Sequence, residues 1–352
     1  MTYDLSLPVD GRAVTVVGGG GRAVGQVAAL RDAGALVTVV AMDATAAIAD
    51  LVERGVVGWQ RRPYLADDLD DAWLVVAATG VAHVDDRVFA DATARRLWCL
   101  RTGTTEAPSA GRRGEVILVG GGPGDPRLLT IAGRDAIARA DVVVTDRLAP
   151  LASLCGARPD ADIVDVSKVP GGPATPQDEI NAMLVDRARD GDTVVRLKGG
   201  DGFVLGRGGE EVQACLKADV AVRVIPGLSS ALAVPAQAGV PVTHRGVAQG
   251  FTVVSGHVPP DDPRCTVDYD ALARCGTSLV LMMAVANLPA IGAALVRAGL
   301  DPGTPAVTIA DGTLATERQV RATVSTIAGA VEAAGVRPPA VTVVGAVADA
   351  LA

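Results

Sequence analysis

Residues 194–211 read Val194-Val195-Arg196-Leu197-Lys198-Gly199-Gly200-Asp201-Gly202-Phe203-Val204-Leu205-Gly206-Arg207-Gly208-Gly209-Glu210-Glu211. Val194, Val195 and Leu197 make a short apolar run of the kind that forms a buried strand. Gly199-Gly200-Asp201 ends it. Glycine there lets the backbone approach a ligand with no Cβ in the way, and Asp201 offers an acceptor for a ribose hydroxyl or an amino group. Gly206-Arg207-Gly208-Gly209 leads into Glu210-Glu211, acids that suit the positive end of a helix dipole. Strand, glycine turn, acid and helix in that order is an α/β unit. An ordinary turn also carries a glycine pair; the length of the run separates the two readings.

Outward from this run, the same grammar repeats. Residues 116–119 are a strand feeding Gly120-Gly121-Gly122-Pro123-Gly124-Asp125-Pro126, with a helix expected over 130–140. Residues 142–144 are the next strand, and Asp146 stands at its carboxyl end. Ligands of open α/β sheets bind outside those ends, although an Asp there also serves as a helix cap. Residues 163–166 read as a strand before Ser167-Lys168 and a Pro/Gly loop, and Thr175 reads as the cap of a helix with Asp178 three residues on. Residues 222–225 lead into Pro226-Gly227, then a small-residue helix over 228–238. Strands are expected at 251–254, 279–283, 306–309 and 341–344, and helices at 288–298 and 324–334. A second α/β lobe therefore begins near residue 228.

The 194–211 run resembles the signature of the uroporphyrinogen-III C-methyltransferases, V-V-R-L-K-G-G-D-P-[FY]-[IV]-F-G-R-G-G-E-E. It departs at Gly202, where the family has proline, and at Leu205, where it has phenylalanine. Further blocks agree in order: Val119 to Pro126 with Leu128-Leu129-Thr130; Ala140 to Leu148; Ile225 to Ala231; and Gly239 to Arg245, with its Thr243-His244-Arg245. The resemblance covers about residues 115–347, roughly two thirds of the chain. It implies a tetrapyrrole methyltransferase domain over 114–352, in lobes 114–227 and 228–352 with the site between them, and a homodimer. The implied reaction methylates uroporphyrinogen III twice, from S-adenosylmethionine, to give precorrin-2.

By the same resemblance Asp146 is the proton acceptor and Lys168 the proton donor; Thr145 replaces the family's tyrosine. The cofactor residues it implies are Pro123, Gly199, Gly200, Asp201, Val204, Ser229, Ser230, Met283 and Gly312. Ser229 and Ser230 equally suit a helix cap, and Met283 a core position. A polycarboxylate substrate requires cations, and Arg196, Lys198, Arg207, His244 and Arg245 lie in or beside the blocks. Arginine's fork bonds both carboxylate oxygens. Pairing with internal acids is the alternative for these residues.

The first 107 residues are different. Residues 14–17 form a strand into Gly18-Gly19-Gly20-Gly21, a helix follows over 24–33, and a second strand, 36–40, ends near Met42-Asp43. Gly18, Gly20 and Ala23 fit G-x-G-x-x-A, with Asp43 where a ribose-binding acid belongs. Residues 74–78, 81–96 and 97–100 add strand, helix and strand. The expectation is a small doubly wound Rossmann-like domain over 1–107, joined by a linker at 108–113. It resembles the precorrin-2 dehydrogenase and ferrochelatase half of siroheme synthase. Gly103 stands where that family has its catalytic aspartate, and the family's arginine–lysine pair and helical dimerisation segment are missing. NAD binding and a vestigial domain of the same shape both remain open.

The chain has 352 residues, a net charge of −8 and a pI near 5.0. That gives no general attraction to nucleic acid or anionic membrane, and 3% aromatic content argues against base stacking. Five scattered cysteines without C-x-x-C spacing read as reduced thiols in a cytoplasmic protein. No signal peptide is visible, no apolar run approaches the ~18–20 residues of a membrane span, and no metal site is expected. The leading reading is the methyltransferase. A bifunctional enzyme that also oxidises precorrin-2 with NAD is the runner-up. A methylase of a later corrin precursor or of ribosomal RNA, and a non-catalytic N-terminal binding module, are the remaining alternatives.

Overall fold

The computed structural model describes residues 7–102, 114–167 and 175–351. In the first sheet β1 (Ala13–Val17), β2 (Leu36–Val40), β3 (Gly58–Gln60), β4 (Leu74–Ala77) and β5 (Trp98–Arg101) run parallel in the order β3-β2-β1-β4-β5. Ala-Val-Thr-Val-Val and Leu-Val-Thr-Val-Val make β1 and β2 β-branched along most of their length, as strands covered on both faces require. The helices are α1 (Gly21–Asp32), α2 (Ala46–Glu53) and α3 (Ala82–Ala94). The order reverses between β1 and β4, so the crevice outside their carboxyl ends is this sheet's natural ligand position.

The second sheet contains β6 (Glu115–Gly120), β7 (Val142–Thr145), β8 (Asp162–Asp165), β9 (Thr193–Lys198) and β10 (Ala221–Ile225), all parallel, in the order β10-β6-β9-β7-β8. Its helices are α4 (Ile131–Ile137), α5 (Gln177–Arg189) and α6 (Gly208–Lys217). Thr130 caps α4 by accepting from the Gly133 amide. The expected cap of α5 at Thr175 is not formed: Pro176 occupies that position and offers no side-chain acceptor. The crossovers diverge between β9 and β7, since β9 leads to β10 on one side and β7 to β8 on the other, which places the reversal between the Gly199-Gly200-Asp201 turn and Asp146.

These two sheets form one compact unit, Met1–Gly121 with Pro126–Gly227. One apolar core runs beneath both, joining Val16, Val24 and Val27 to Ile137, Val143, Leu151, Leu154 and Val195. α1 lies on the 3₁₀ turn Leu151–Gly156, so tightly that a Cβ on Gly25 would stand 2.8 Å from Leu154 Cβ. A Cβ on Gly21 would stand 2.0 Å from the Ile163 carbonyl oxygen of β8. The last glycine of the run 18–21 therefore serves this junction. At α2 the Ala47 amide donates to Asp165 Oδ2 at 2.9 Å.

The second unit, Gly122–Asp125 with Leu228–Ala352, has a mixed sheet. β11 (Phe251–Ser255), β12 (Ser278–Met282), β13 (Pro305–Ala310), β14 (Arg318–Thr323) and β15 (Ala340–Val344) lie in the order β11-β12-β15-β13-β14. Only β11 and β12 pair in parallel. α7 (Ser230–Gln237) packs Val234 on one face with Val280, Ile309 and Val343. α8 (Tyr269–Arg274), α9 (Leu288–Arg297) and α10 (Ile327–Ala333) close the other around Leu281, Ile291, Leu295 and Val331. The helix expected over 324–334 is shorter, because β14 and its turn take the residues before Ile327. Among the described residues no helix is long and apolar enough to cross a membrane, and no cluster of His, Cys, Asp or Glu is placed to hold a metal ion.

Candidate active site

In the first unit the residues of interest gather at the carboxyl edge of the second sheet. Three turns interlock there. A Cβ on Gly227 would lie 2.3 Å from Gly200 O and 2.5 Å from Gly120 O, and one on Gly120 would lie 2.4 Å from Gly227 N. These are backbone atoms with nowhere to move, so the ends of β6, β9 and β10 meet only through glycine. Gly227→Ala is accordingly expected to cost about 1–3 kcal/mol or more of stability, read as a lowered melting temperature by calorimetry; an unchanged melt would mean the turns part freely.

Asp201 holds the same turns. Its Oδ1 accepts from the Phe203 and Val204 amides at 2.8 and 3.2 Å, and its Oδ2 from Gly227 N at 3.1 Å. The carboxylate expected to await a ligand is thus bonded to its own backbone first. Gly199 passes Leu148, whose carbonyl oxygen would be 2.2 Å from an added Cβ. Val204 is 38% exposed.

Asp146 follows β7 with its side chain 28% exposed. Oδ1 accepts from the Leu148 amide at 3.1 Å, and Oδ2 from Arg196 Nη2 at 2.8 Å. Thr145, in place of the family's tyrosine, is fully buried with Oγ1 lacking a hydrogen-bond partner. Lys168 lies outside the described residues.

In the second unit Met283 and Gly312 share one edge of the sheet. β12 and β13 both pair antiparallel with β15 and so run the same way. Beyond their ends Met283, Asp311 and Thr313 hold left-handed backbone at φ 55°, 50° and 73°. Each such non-glycine residue costs of order 1–3 kcal/mol, and strain of this kind collects at ligand sites. Gly312 between them touches α7: an added Cβ would be 2.3 Å from Val234 Cγ1. The loop with Pro123 joins this edge, since the Asp125 amide donates to Thr313 Oγ1 at 3.2 Å. Ser229 caps α7 by accepting from the Ala231 amide at 3.3 Å, and Ser230 opens the helix half-buried. Met283 is 48% exposed, a surface residue and not a core one.

At the first sheet, Gly18 is left-handed at φ 122°, and its Cβ would meet the Ala78 carbonyl oxygen of the neighbouring strand end at 2.4 Å. Gly20 has open space where a Cβ would be, directly before α1, while Ala23 is fully buried. Met42 is exposed, and so is Asp43, 3.7 Å from Arg61 Nη2. An open cradle at a helix start is the geometry that accepts a phosphate.

Residues 115–328 match the family described as Tetrapyrrole (Corrin/Porphyrin) Methylases. The chain belongs to that family. Residues 5–109 match a family described as Putative NAD(P)-binding. The uroporphyrinogen-III C-methyltransferase of Methanocaldococcus jannaschii is 44% identical over 239 residues, covering 68% of this chain and 98% of that relative. Siroheme synthase 1 of Cronobacter sakazakii is 33% identical and covers 90% of this chain and 88% of its own. That alignment spans 416 positions, more than the 352 residues here, so the relative holds segments with no counterpart in this methylase. The crystal structure of uroporphyrin-III C-methyl transferase from Thermus thermophilus, complexed with S-adenyl homocysteine, is 40% identical. It covers 67% of this chain and 99% of that one, with a TM-score of 0.58.

The five expected substrate cations of the methylase divide into two buried and three exposed. Arg196 and Lys198 are 3% and 5% exposed and both bind Glu211 at 3.0 Å, so they do not face a polycarboxylate. Burial is the physical reason: an uncompensated cation there would be costly, and Glu211 together with Asp146 compensates the two. Arg207 is exposed and forked onto Glu210, with both bonds 2.8 Å. His244 Nδ1 contacts the Arg245 carbonyl at 3.0 Å. Arg245 itself is exposed, with no ion pair among the described residues. The sequence marks Glu211 only as a helix-opening acid, not as the buried counter-ion of Arg196 and Lys198, and does not mark Thr313. The doubled acid after the glycine run is the signal for the first; an Asp-Gly-Thr turn gives little warning of the second.

Proposed function

We propose that this chain is an S-adenosylmethionine-dependent uroporphyrinogen-III C-methyltransferase, making precorrin-2 by two methyl transfers on the way to siroheme or cobalamin. The carboxyl edge of the second sheet carries the reading: the family's Val-Val-Arg-Leu-Lys-Gly-Gly-Asp run forms β9 and its turn, beside Asp146. S-adenosylmethionine supplies an electrophilic methyl group when bound. By the family resemblance, the residues that would hold it are Gly199, Gly200, Asp201, Val204, Pro123, Ser229, Ser230, Met283 and Gly312. The strained turns at Met283 and 311–313 fit that use. Each transfer forms a bond from a ring carbon to the methyl carbon, breaks the sulfur–methyl bond and frees a proton from the macrocycle. Asp146 takes that proton: it reaches solvent, and each of its oxygens keeps a lone pair beyond the bonds from Leu148 and Arg196. Lys168 serves as the proton donor, and Arg245 is the cation left for substrate carboxylates. Positioning supplies much of the barrier reduction in such a transfer.

A second reading adds NAD-dependent oxidation of precorrin-2, favoured by the match along 90% of the chain to a siroheme synthase. Gly18, Gly20, Ala23, Met42 and Asp43 would hold NAD, which supplies a hydride acceptor. Gly103, outside the described residues, argues against the oxidation. The test is incubation of pure protein with uroporphyrinogen III and S-adenosylmethionine, with and without NAD, followed by absorption spectra. Methylated product is expected in both arms; unchanged substrate would defeat the reading.

Two further outcomes are expected. Light scattering at micromolar concentration should give a homodimer, formed through the methyltransferase region; a monomer would contradict it. A chain beginning at residue 113 should still methylate, because every motif block lies beyond it. It should also be less soluble and melt lower, because Leu151 and Leu154 lose α1, at roughly 1.5–3 kcal/mol for a fully re-exposed leucine. A folded but inactive truncation would count against this division. The free thiols favour a cytoplasmic setting.

A further inference from the structure

We propose that Arg196 is a positioning residue for the methyl transfer, braced by Glu211 and directing the carboxylate of Asp146. The inference rests on the reading of Asp146 as proton acceptor. β9 is the middle strand of its sheet, between β6 and β7. Arg196 and Lys198, two residues apart, point to the same face, where α6 presents Glu211 with no exposed surface at all. Glu211 Oε1 accepts from Arg196 Nε at 3.0 Å, Lys198 Nζ at 3.0 Å and Gln177 Nε2 at 3.3 Å. Its Oε2 has no partner, so the donors pull on one oxygen. Burial pushes the Lys198 ammonium below its ordinary range, and the adjacent Arg196 adds to the push.

Every arm of Arg196 is committed. Nε meets Glu211, Nη1 donates to the carbonyls of Leu197 at 2.9 Å and Val144 at 3.4 Å, and Nη2 donates to Asp146 Oδ2 at 2.8 Å. A planar fork fixed at three points cannot swing. The cluster therefore transmits the geometry of β9 and α6 to the carboxylate just beyond β7. Arg196, Lys198 and Glu211 side chains are 4%, 7% and 0% exposed, against 28% for Asp146. Asp146 is the one member a ligand can touch. Buried ion pairs are weak contributors to stability relative to apolar residues of the same volume. What this one provides is a defined direction for the acceptor's lone pairs.

The experiment compares Arg196→Gln, Arg196→Lys, Asp146→Asn and the double variant Arg196→Gln/Asp146→Asn in the full chain. Turnover is measured alongside S-adenosylmethionine affinity by calorimetry. Arg196→Gln should lower kcat roughly 10–100-fold, the scale of a displaced catalytic group, with cofactor Kd and substrate KM little changed. Arg196→Lys keeps the charge without the fork and should recover part of the loss. The double variant should be no slower than Asp146→Asn alone. If Arg196→Gln does not fold, Arg196→Lys carries the test: kcat falls while melting and cofactor Kd hold. Wild-type kcat in a folded Arg196→Gln, or in Arg196→Lys where that is the variant that folds, overturns the proposal. So does a loss that multiplies with that of Asp146→Asn. An active Asp146→Asn defeats the acceptor reading and this proposal together. An inactive Asp146→Asn beside unaffected Arg196 variants defeats the positioning role alone.

Discussion

Asp146→Asn is expected to lower turnover roughly 10²-fold or more, the usual worth of a general base, while S-adenosylmethionine affinity stays close to wild type. The substitution keeps the shape and removes the basic oxygen. It also sets a local conflict. Asp146 accepts from two donors on different oxygens, the Leu148 amide and Arg196 Nη2. An asparagine has one acceptor oxygen, so its NH₂ must face one of those donors. A modest fall in melting temperature should therefore accompany the kinetic loss, since an unmet hydrogen bond costs about 1–3 kcal/mol. Single-turnover assays with calorimetric titration of the cofactor separate the effects. Collapse of cofactor binding would reassign Asp146 to a structural or cofactor role.

The sequence made the turns at Gly199-Gly200-Asp201 and Gly120-Gly121 legible because glycine there answers a steric demand. The backbones that meet at Gly120, Gly200 and Gly227 would collide with any Cβ. Strands β1, β2, β6 and β9 were legible because buried parallel strands are near-continuous β-branched or aliphatic runs. β14 was not: Arg-Gln-Val-Arg-Ala-Thr is an antiparallel edge strand with no buried residue and no apolar run to find. The fate of Arg196 and Lys198 was hidden for a related reason. On a half-exposed strand, alternate charges face water, and that is the default for an R-x-K pair. Here β9 is covered on both faces, so the charged side required a buried counter-ion, and it came from a helix 13–15 residues on. The packing of α1 on the 151–156 turn was illegible altogether, since Gly21 and Gly25 read equally well as nucleotide-turn and helix residues.

NAD is expected to bind the N-terminal domain, yet precorrin-2 should not be oxidised there at a useful rate. The residues that hold a dinucleotide are backbone groups and an acid. Gly18 passes the neighbouring strand end, Gly20 leaves the start of α1 open, and Asp43 lies exposed beyond β2, 3.7 Å from Arg61 Nη2. Oxidation, by contrast, requires a placed side chain, and Gly103 offers neither base nor ligand. Nearby acids could have replaced the missing aspartate, but two of them are committed. Asp85 is 1% exposed, with Oδ1 accepting from the Thr79 amide at 3.0 Å and hydroxyl at 2.6 Å, which ties it to the turn after β4. Asp86 pairs with Arg101 at 2.6 Å on the surface. Glu106 lies outside the described residues. Loss of an acid–base group lowers rates 10²–10⁴-fold. Freshly made precorrin-2 mixed with NAD should therefore give NADH no faster than the protein-free control, while calorimetry registers NAD binding. Rapid NADH and sirohydrochlorin, abolished by Asp85→Asn, Asp86→Asn or Glu106→Gln, would make the protein bifunctional and place the missing acid on whichever residue the loss identifies.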